Sequence, residues 1–353
     1  MRWLDSLEDP ETAQGEVLWR LLDLYSETEY GGERVREVSS LEDYRRSFPA
    51  VSYAEVEGLI KEALSGRYRV LLSSPPVMVG VTSGTRGPPK LIPVTEEDLA
   101  VRRRVMLEGA SALAEAVGVE PGPVLGPFVG GLGEAEFGGR RIPLVYASGL
   151  MAALAGRPLE AVERVGPGAD RESWNERFDA ILSTLERLGR VSFLVGSPLA
   201  LYKMAERCLE TRRVLPGELA DVGVVLSVGM PDTRAAFRRP LEEAYSPRLV
   251  AEGYGATEGL FAMQPDAEPG LAPFYSEYLL EVEMGGEVKM LYEMRPGQWG
   301  ELIVSTPTLP RYRVGDVVER LPSGRFSVPC RAGPPCSAMM WVRRVVRGIA
   351  SLL

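Results

Sequence analysis

The chain contains no histidine among its 353 residues. That absence excludes Ser-His-Asp and Cys-His nucleophile pairs, His-ligated zinc and HExxH sites. Chemistry here must rest on positioned cations, carboxylates and hydroxyls, which are means suited to phosphoryl and nucleotidyl transfer. Lysine is scarce: Lys61, Lys90, Lys203 and Lys289 are the whole set, and every other side-chain cation is arginine. Side-chain amides are almost missing, with Asn175, Gln14, Gln264 and Gln298 alone, while proline reaches 28 residues. This bias points to a thermophilic source. Cysteine is limited to Cys208, Cys330 and Cys336, an odd set without a CxxC pair. Free thiols in a reducing compartment are expected. No apolar run approaches the roughly 18 residues of a transmembrane helix. The acidic start, Met1 to Pro10, has no signal-peptide apolar stretch, so a cytoplasmic location without a membrane partner is expected. Surplus positive charge is also missing, and a net charge of -9 argues against a nucleic-acid partner.

What is present is ordinary globular material long enough for two or three structural units. Residues 1–66 read as a helical N-terminal segment. In it, Ser52 and Glu55 form a capping box before an apolar stripe at Val56, Leu59, Ile60 and Leu64. Residues 67–274 read as an α/β core. A buried strand, Val77–Val81, feeds the loop Thr82–Lys90, and a helix capped by Thr95 follows. The spacing of Trp174, Phe178, Ile181, Leu182, Leu185 and Leu188 predicts a helix over 172–189. Strands are expected at Val191–Val195, Val222–Val228 and Leu249–Ala251, the last entering a loop Gly253–Gly259. The GGLG stretch at 130–133 lacks the full dinucleotide-fingerprint spacing and a following helix. Past 275 the pattern changes: Tyr278–Met284 and Glu287–Met294 flank Gly285-Gly286, a two-residue hairpin signal. Residues 275–328 therefore read as an antiparallel β-subdomain, and 329–353 as an atypical tail. The fold class is α/β, with mixed sheets flanked by helices.

Three segments carry chemistry. In Thr82-Ser83-Gly84-Thr85-Arg86-Gly87-Pro88-Pro89-Lys90, glycines let backbone N–H groups approach an anion. Hydroxyls add donors and Lys90 adds a mobile charge. It is not a GxxxxGK[ST] loop, because no Ser or Thr follows Lys90. In Gly253-Tyr254-Gly255-Ala256-Thr257-Glu258-Gly259, past a strand end, an aromatic face, a hydroxyl and a carboxylate suit a base, a phosphate oxygen and Mg2+. In Arg311-Tyr312-Arg313-Val314-Gly315-Asp316, Asp316 is expected just before a strand, suited to accept from ribose hydroxyls.

In this order the three segments resemble the signature motifs of the adenylate-forming superfamily. Lys90-Leu91-Ile92-Pro93 and Tyr312-Arg313-Val314-Gly315-Asp316-Val317-Val318 are most similar to the auxin-responsive acyl-acid-amido synthetases and their microbial relatives. The phenylacetate–CoA ligase branch is the nearest competitor, and the first 70 residues carry no such likeness. The resemblance implies the large domain of that fold, with ATP and Mg2+ as cofactors and a small carboxylic acid as substrate. An amine or the thiol of coenzyme A would be the acceptor. It implies that Thr82, Ser83, Gly84, Thr85, Gly87 and Lys90 hold the β- and γ-phosphates, with Arg86 replacing a usual hydroxyl. Thr257 would touch the α-phosphate and Glu258 would ligate Mg2+. Tyr254, beside Gly255, would stack on adenine, whose edge would meet Ser227, Val228 and Gly229, and Asp316 would bind ribose. Candidate acid-pocket residues are Phe128, Tyr146, Phe193, Met230 and Phe261.

The sequence departs from the family after Asp316. Arg331 stands at the distance of the hinge arginine, but Ala332-Gly333-Pro334-Pro335 is not the hinge sequence. No lysine follows it, where the family's small domain carries one. Two functions follow: an adenylating ligase, or an impaired ATP- or acyl-adenylate-binding large domain serving a separately encoded C-terminal partner.

Overall fold

The computed structural model describes residues 1–82, 88–128, 131–154, 171–229 and 234–350. The N-terminal segment forms α1 (Trp3–Glu8), α2 (Pro10–Ser26), α3 (Gly32–Val35), α4 (Leu41–Ser47) and α5 (Tyr53–Leu64). Asp9 caps α2 by accepting from Thr12 N–H, and Pro10 fits the first helical turn. Val17, Leu18, Leu21, Leu22 and Tyr25 form one stripe, packed with Tyr44, Phe48, Leu279 and Met290. The expected capping box is present: Ser52 N–H donates to Glu55 Oε2 at 2.7 Å at the start of α5.

The middle of the chain runs β1 (Met78–Val81), β2 (Leu91–Val94), α6 (Glu96–Ala116), β3 (Val124–Leu125), β4 (Gly131–Phe137), β5 (Arg140–Tyr146) and α7 (Ala147–Leu154). It continues with α8 (Arg171–Leu188), β6 (Arg190–Gly196), α9 (Pro198–Arg212), α10 (Pro216–Leu219), β7 (Asp221–Val228) and α11 (Arg234–Tyr245). It ends with β8 (Leu249–Ala256), β9 (Gly259–Met263) and β10 (Ala272–Pro273). One sheet is ordered β2-β1-β5-β4, with β1 and β5 parallel and the outer pairs antiparallel. A second is ordered β10-β9-β8-β7-β6-β3, with β3, β6, β7 and β8 parallel. The interiors of β6 and β7 are buried continuously, the pattern of parallel strands covered on both faces.

Beyond 275 lie β11 (Leu279–Met284), β12 (Glu287–Met290), β13 (Trp299–Ser305), β14 (Tyr312–Arg320) and β15 (Phe326–Arg331). They form an antiparallel sheet ordered β12-β11-β13-β14-β15, and α12 (Pro334–Ala350) follows. The expected hairpin is made with Met284 opposite Glu287 and positive φ at Gly285 (62°) and Gly286 (91°). A two-residue hairpin turn of this hand demands that conformation.

Three expectations need correction. The glycine-rich stretch at 253–259 is not a loop beyond a strand end: β8 and β9 run antiparallel through it, and only Thr257 and Glu258 form the turn. Its glycines serve close packing, since a Cβ on Gly255 would lie 2.6 Å from the Gly259 carbonyl oxygen, beside a bulge at Tyr254. Asp316 sits within β14, opposite Arg331 of β15, rather than before a strand. The cysteines are not all free: Cys330 and Cys336 form a disulfide that ties β15 to the start of α12, and Cys208 alone is a buried thiol. Among the described residues no helix is long and apolar enough to cross a membrane.

Candidate active site

The two sheets meet where β1 presses on the 257–258 turn. Gly80 has no side chain at this contact; a Cβ there would lie 2.5 Å from Thr257 Cγ2. From the other side, the Arg102 guanidinium on α6 donates through Nη1 to the Thr257 carbonyl at 3.0 Å. Two residues past Gly80, Thr82 and Lys90 close the base of the glycine-rich loop. Thr82 N–H donates to the Lys90 carbonyl at 3.1 Å, and Lys90 N–H donates to Thr82 Oγ1 at 2.9 Å. Ser83, Gly84, Thr85, Arg86 and Gly87 lie outside the described residues.

Glu258 is 4% exposed at the tip of the hairpin. Burial pushes its carboxyl above the usual carboxylate range. Its own backbone, the Tyr312 hydroxyl and the charges of Lys90 and Arg102 pull the other way. Burial, then the Glu258 charge, raises the Tyr312 phenol as well, so that hydroxyl stays protonated and available to the carboxylate. Tyr312 opens β14 directly after Arg311, which has a left-handed φ of 44°. Arg311 is held there by Glu281 Oε2 at 2.8 Å and by the carbonyls of Arg45 at 3.0 Å and Phe48 at 2.8 Å. Lys90 lies on the same side, its Nζ 5.3 Å from the centre of the Tyr53 ring. The Tyr53 hydroxyl also accepts from Leu91 N–H at 3.0 Å, so the first residue of α5 orders the strand that leaves the loop.

Asp316 and Tyr254 form the second half of the site. The Tyr254 hydroxyl donates to Asp316 Oδ2 at 2.9 Å, and Arg331 Nε lies 2.9 Å from Oδ1. Burial, then the Asp316 charge, raises the Tyr254 phenol well above its usual range, so it remains a donor. Gly253 pairs with Val228, and Ser227 with Glu252, which sets Ser227 and Val228 beside the strand carrying Tyr254. Gly229, with φ of 89°, turns the chain away at that point. These are the carboxyl ends of parallel strands, where open α/β sheets leave a crevice.

The remaining sequence candidates fall in different settings. Tyr146 is half-buried at the end of β5, directly beside Val81, the last residue of β1. Phe128 and Phe193 are buried in the central core. Phe261 is 1% exposed between Tyr254 and Tyr278, with ring centroids 6.0 and 5.1 Å away. Met230 lies outside the described residues. A small apolar void of about 10 Å³ lies beneath Tyr254 and Phe261, too small for a substrate. A wider polar depression of about 520 Å³, lined by Arg45, Glu287, Lys289, Glu293 and Arg295, contains none of these residues.

Among the described residues no group of three or more His, Cys, Asp or Glu side chains could hold a metal ion by itself. Glu258, at the tip of the 257–258 turn, offers a buried carboxylate whose desolvation its neighbours only partly offset, a setting in which a cation stabilises the charged form. Mg2+ is commonly held by one or two carboxylates together with phosphate oxygens and water, so this donor set fits it when a nucleotide supplies the rest.

Sequence reasoning missed Tyr53, Asp98 and Arg102, and gave Tyr312 no role. Tyr53 carries no separate signal, because it sits inside an apolar helix face. Asp98 and Arg102 did leave one: a charged i, i+4 pair within the buried stripe Val101, Val105, Gly109 and Leu113.

This chain has the fold of the adenylate-forming enzymes. It is similar to an acyl acid amido synthetase, AtGH3.15 in complex with 2,4-DB, over 90% of this chain and 67% of that one, with a TM-score of 0.72 and 19% identity. It is also similar to a 2-hydroxyisobutyryl-CoA ligase in complex with 2-HIB-AMP and CoA, over 91% of this chain and 67% of that one, with a TM-score of 0.64 and 17% identity. The chain thus spans about two thirds of the length of these neighbours. Residues 2–125 match the GH3 family N-terminal domain, a match that begins in the helical segment where the sequence motifs gave no resemblance. A search of curated proteins finds no match.

Proposed function

We propose that this chain binds ATP with Mg2+ and activates a small carboxylic acid as its acyl-adenylate, which then passes to an amine or to the thiol of coenzyme A. The observation that carries the reading is the contact between Gly80 and Thr257. It joins the base of the glycine-rich loop to the Thr257–Glu258 turn, and the Tyr254–Asp316 hydrogen bond ties the same hairpin to the Tyr312–Asp316 strand. The carboxylate oxygen attacks the α-phosphorus, the bond to the β-phosphate oxygen breaks, and pyrophosphate leaves. An acceptor nitrogen or sulfur then attacks the acyl carbon, AMP leaves and the acceptor loses its proton. Lys90 and the loop residues Thr82, Ser83, Gly84, Thr85, Arg86 and Gly87 hold the β- and γ-phosphates. Thr257 contacts the α-phosphate. Tyr254 and Gly255, with Ser227, Val228 and Gly229, frame adenine, and Asp316 accepts from ribose. Glu258 holds the Mg2+, which neutralises charge developing on the phosphates. Phe128, Tyr146, Phe193, Met230 and Phe261 remain the candidate acid contacts. A cytoplasmic location and a thermophilic source belong to the same reading, and intracellular disulfides are tolerated in hyperthermophiles.

A second reading is favoured by one observation. Lys61, Lys203 and Lys289 are paired with Glu57, Glu206 and Glu287 on the surface, so Lys90 is the one lysine beside the site. In that reading the chain is an impaired ATP- or acyl-adenylate-binding domain, and a separately encoded C-terminal partner domain supplies the cation for the adenylation step. Acid-dependent ATP–pyrophosphate exchange over a panel of aryl, indolyl and fatty acids tests both. Turnover by the purified chain supports the first reading. ATP binding without exchange, restored by adding such a domain, supports the second. Neither binding nor exchange would remove both.

A further inference from the structure

We propose that the buried Asp98–Arg102 pair is a positioning device for the nucleotide site, clamping the Thr257–Glu258 turn against β1 rather than stabilising the fold. The inference rests on the function proposed above. Asp98 is fully buried and Arg102 is 2% exposed, with Nε 2.8 Å from Asp98 Oδ2. As a stabilising unit the pair is poor. Among the described residues, Arg102 Nη2 and Asp98 Oδ1 have no hydrogen-bond partner. A buried ion pair recovers its desolvation cost only when its remaining donors and acceptors are satisfied.

What the pair does have is reach. Arg102 Nη1 donates to the carbonyl of Thr257, 155 residues away, at 3.0 Å. Asp98 fixes the guanidinium one helical turn earlier on α6, so the donor cannot follow the turn if the turn moves. On the opposite side, the missing Cβ of Gly80 lets β1 close on the Thr257 methyl. The turn is therefore held between two rigid elements. The Thr257 hydroxyl and the Glu258 carboxylate inherit that position, and a misplacement of about 1 Å at such groups can cost roughly 100-fold in rate. Neither Asp98 nor Arg102 needs to touch a substrate for this.

The test separates stability from binding. Five forms of the 353-residue chain are compared: wild type, Arg102→Met, Arg102→Lys, the double variant Asp98→Leu/Arg102→Met and the distant core variant Leu182→Ala. Denaturant midpoints report stability, and calorimetry reports the Kd for Mg·ATP. Arg102→Met should be clearly destabilised, because it leaves the Asp98 carboxylate buried and unpaired. The double variant should regain the wild-type midpoint or exceed it, yet bind Mg·ATP about tenfold more weakly, or about 1.4 kcal/mol. Arg102→Lys should fall between. Backbone amide exchange at Glu258–Leu260 in the nucleotide-free double variant should accelerate, while the distant core variant Leu182→Ala leaves it unchanged. A double variant with wild-type Kd and unchanged exchange would overturn the proposal. So would one whose loss of binding only tracks a loss of stability. If wild type binds no nucleotide, the function proposed above falls, and this inference falls with it.

Discussion

Tyr254→Phe removes a single hydroxyl and leaves the ring in place against Phe261. The lost contact is the 2.9 Å hydrogen bond to Asp316, whose side chain is 2% exposed. A hydrogen bond to a charged acceptor contributes about 1.5–3 kcal/mol, and its buried acceptor is left short of a donor. Arg331, which also pairs with Asp316, has a side chain 46% exposed. Solvent screening limits such a pair to about 0–1 kcal/mol, so the hydroxyl dominates. At about 2.1 cal/mol/K of unfolding entropy per residue, a loss of about 2 kcal/mol corresponds to a Tm lower by roughly 3 °C in a chain of this length. The assay is thermal melting of wild type, Tyr254→Phe, Asp316→Asn and the double variant. The cycle should give a coupling of at least about 1 kcal/mol, because removing either partner removes the same bond. Equal Tyr254→Phe losses in both backgrounds, or a Tm within about 1 °C of wild type, would show that this bond does not join the hairpin to β14.

Two further outcomes follow from the same geometry. Lys90→Ala should weaken ATP and pyrophosphate binding by roughly 1.5–3 kcal/mol while nearly sparing AMP, since its charge is assigned beyond the α-phosphate; calorimetry with each ligand checks this, and equal losses for ATP and AMP would place it elsewhere. The Arg325 hydrogen bonds hold the Asp266 carboxyl below its usual range. The folded state therefore favours the ionised form, and that contribution is complete above the ordinary aspartate value and lost as pH falls below it. Asp266→Asn should flatten the fall of Tm between about pH 4 and pH 2, and an unchanged acid limb would refute the assignment.

Local rules carried much of the fold into view. The Ser52–Glu55 box, the Thr95 cap and the Gly285-Gly286 turn are each a short-range physical requirement, and each formed as expected. The stretch at 253–259 misled because glycine is equally at home in a loop and in a tightly packed hairpin. The deciding contact, with Gly80, lies far away in sequence. Asp316, expected before a strand, lies within one for a similar reason: its partner Arg331 belongs to the next strand, and register between strands is a tertiary property. The odd set of three cysteines points to free thiols, whereas the turn from β15 into α12 brings Cys330 and Cys336 together. Tyr53 and Arg102 act across elements, so nothing in their own neighbourhoods announced which backbone group they would reach.

In the proposed function, separate segments of the chain build one nucleotide site. Titration of the 353-residue chain with AMP and with Mg·ATP, for wild type, Glu258→Gln and Asp316→Ala, tests it most directly. Wild type should bind both ligands. Glu258→Gln should lose the Mg2+-dependent part of ATP affinity while keeping AMP, and Asp316→Ala should weaken both. Absence of binding by wild type to AMP, Mg·ATP and an acyl-sulfamoyl adenosine alike would contradict it.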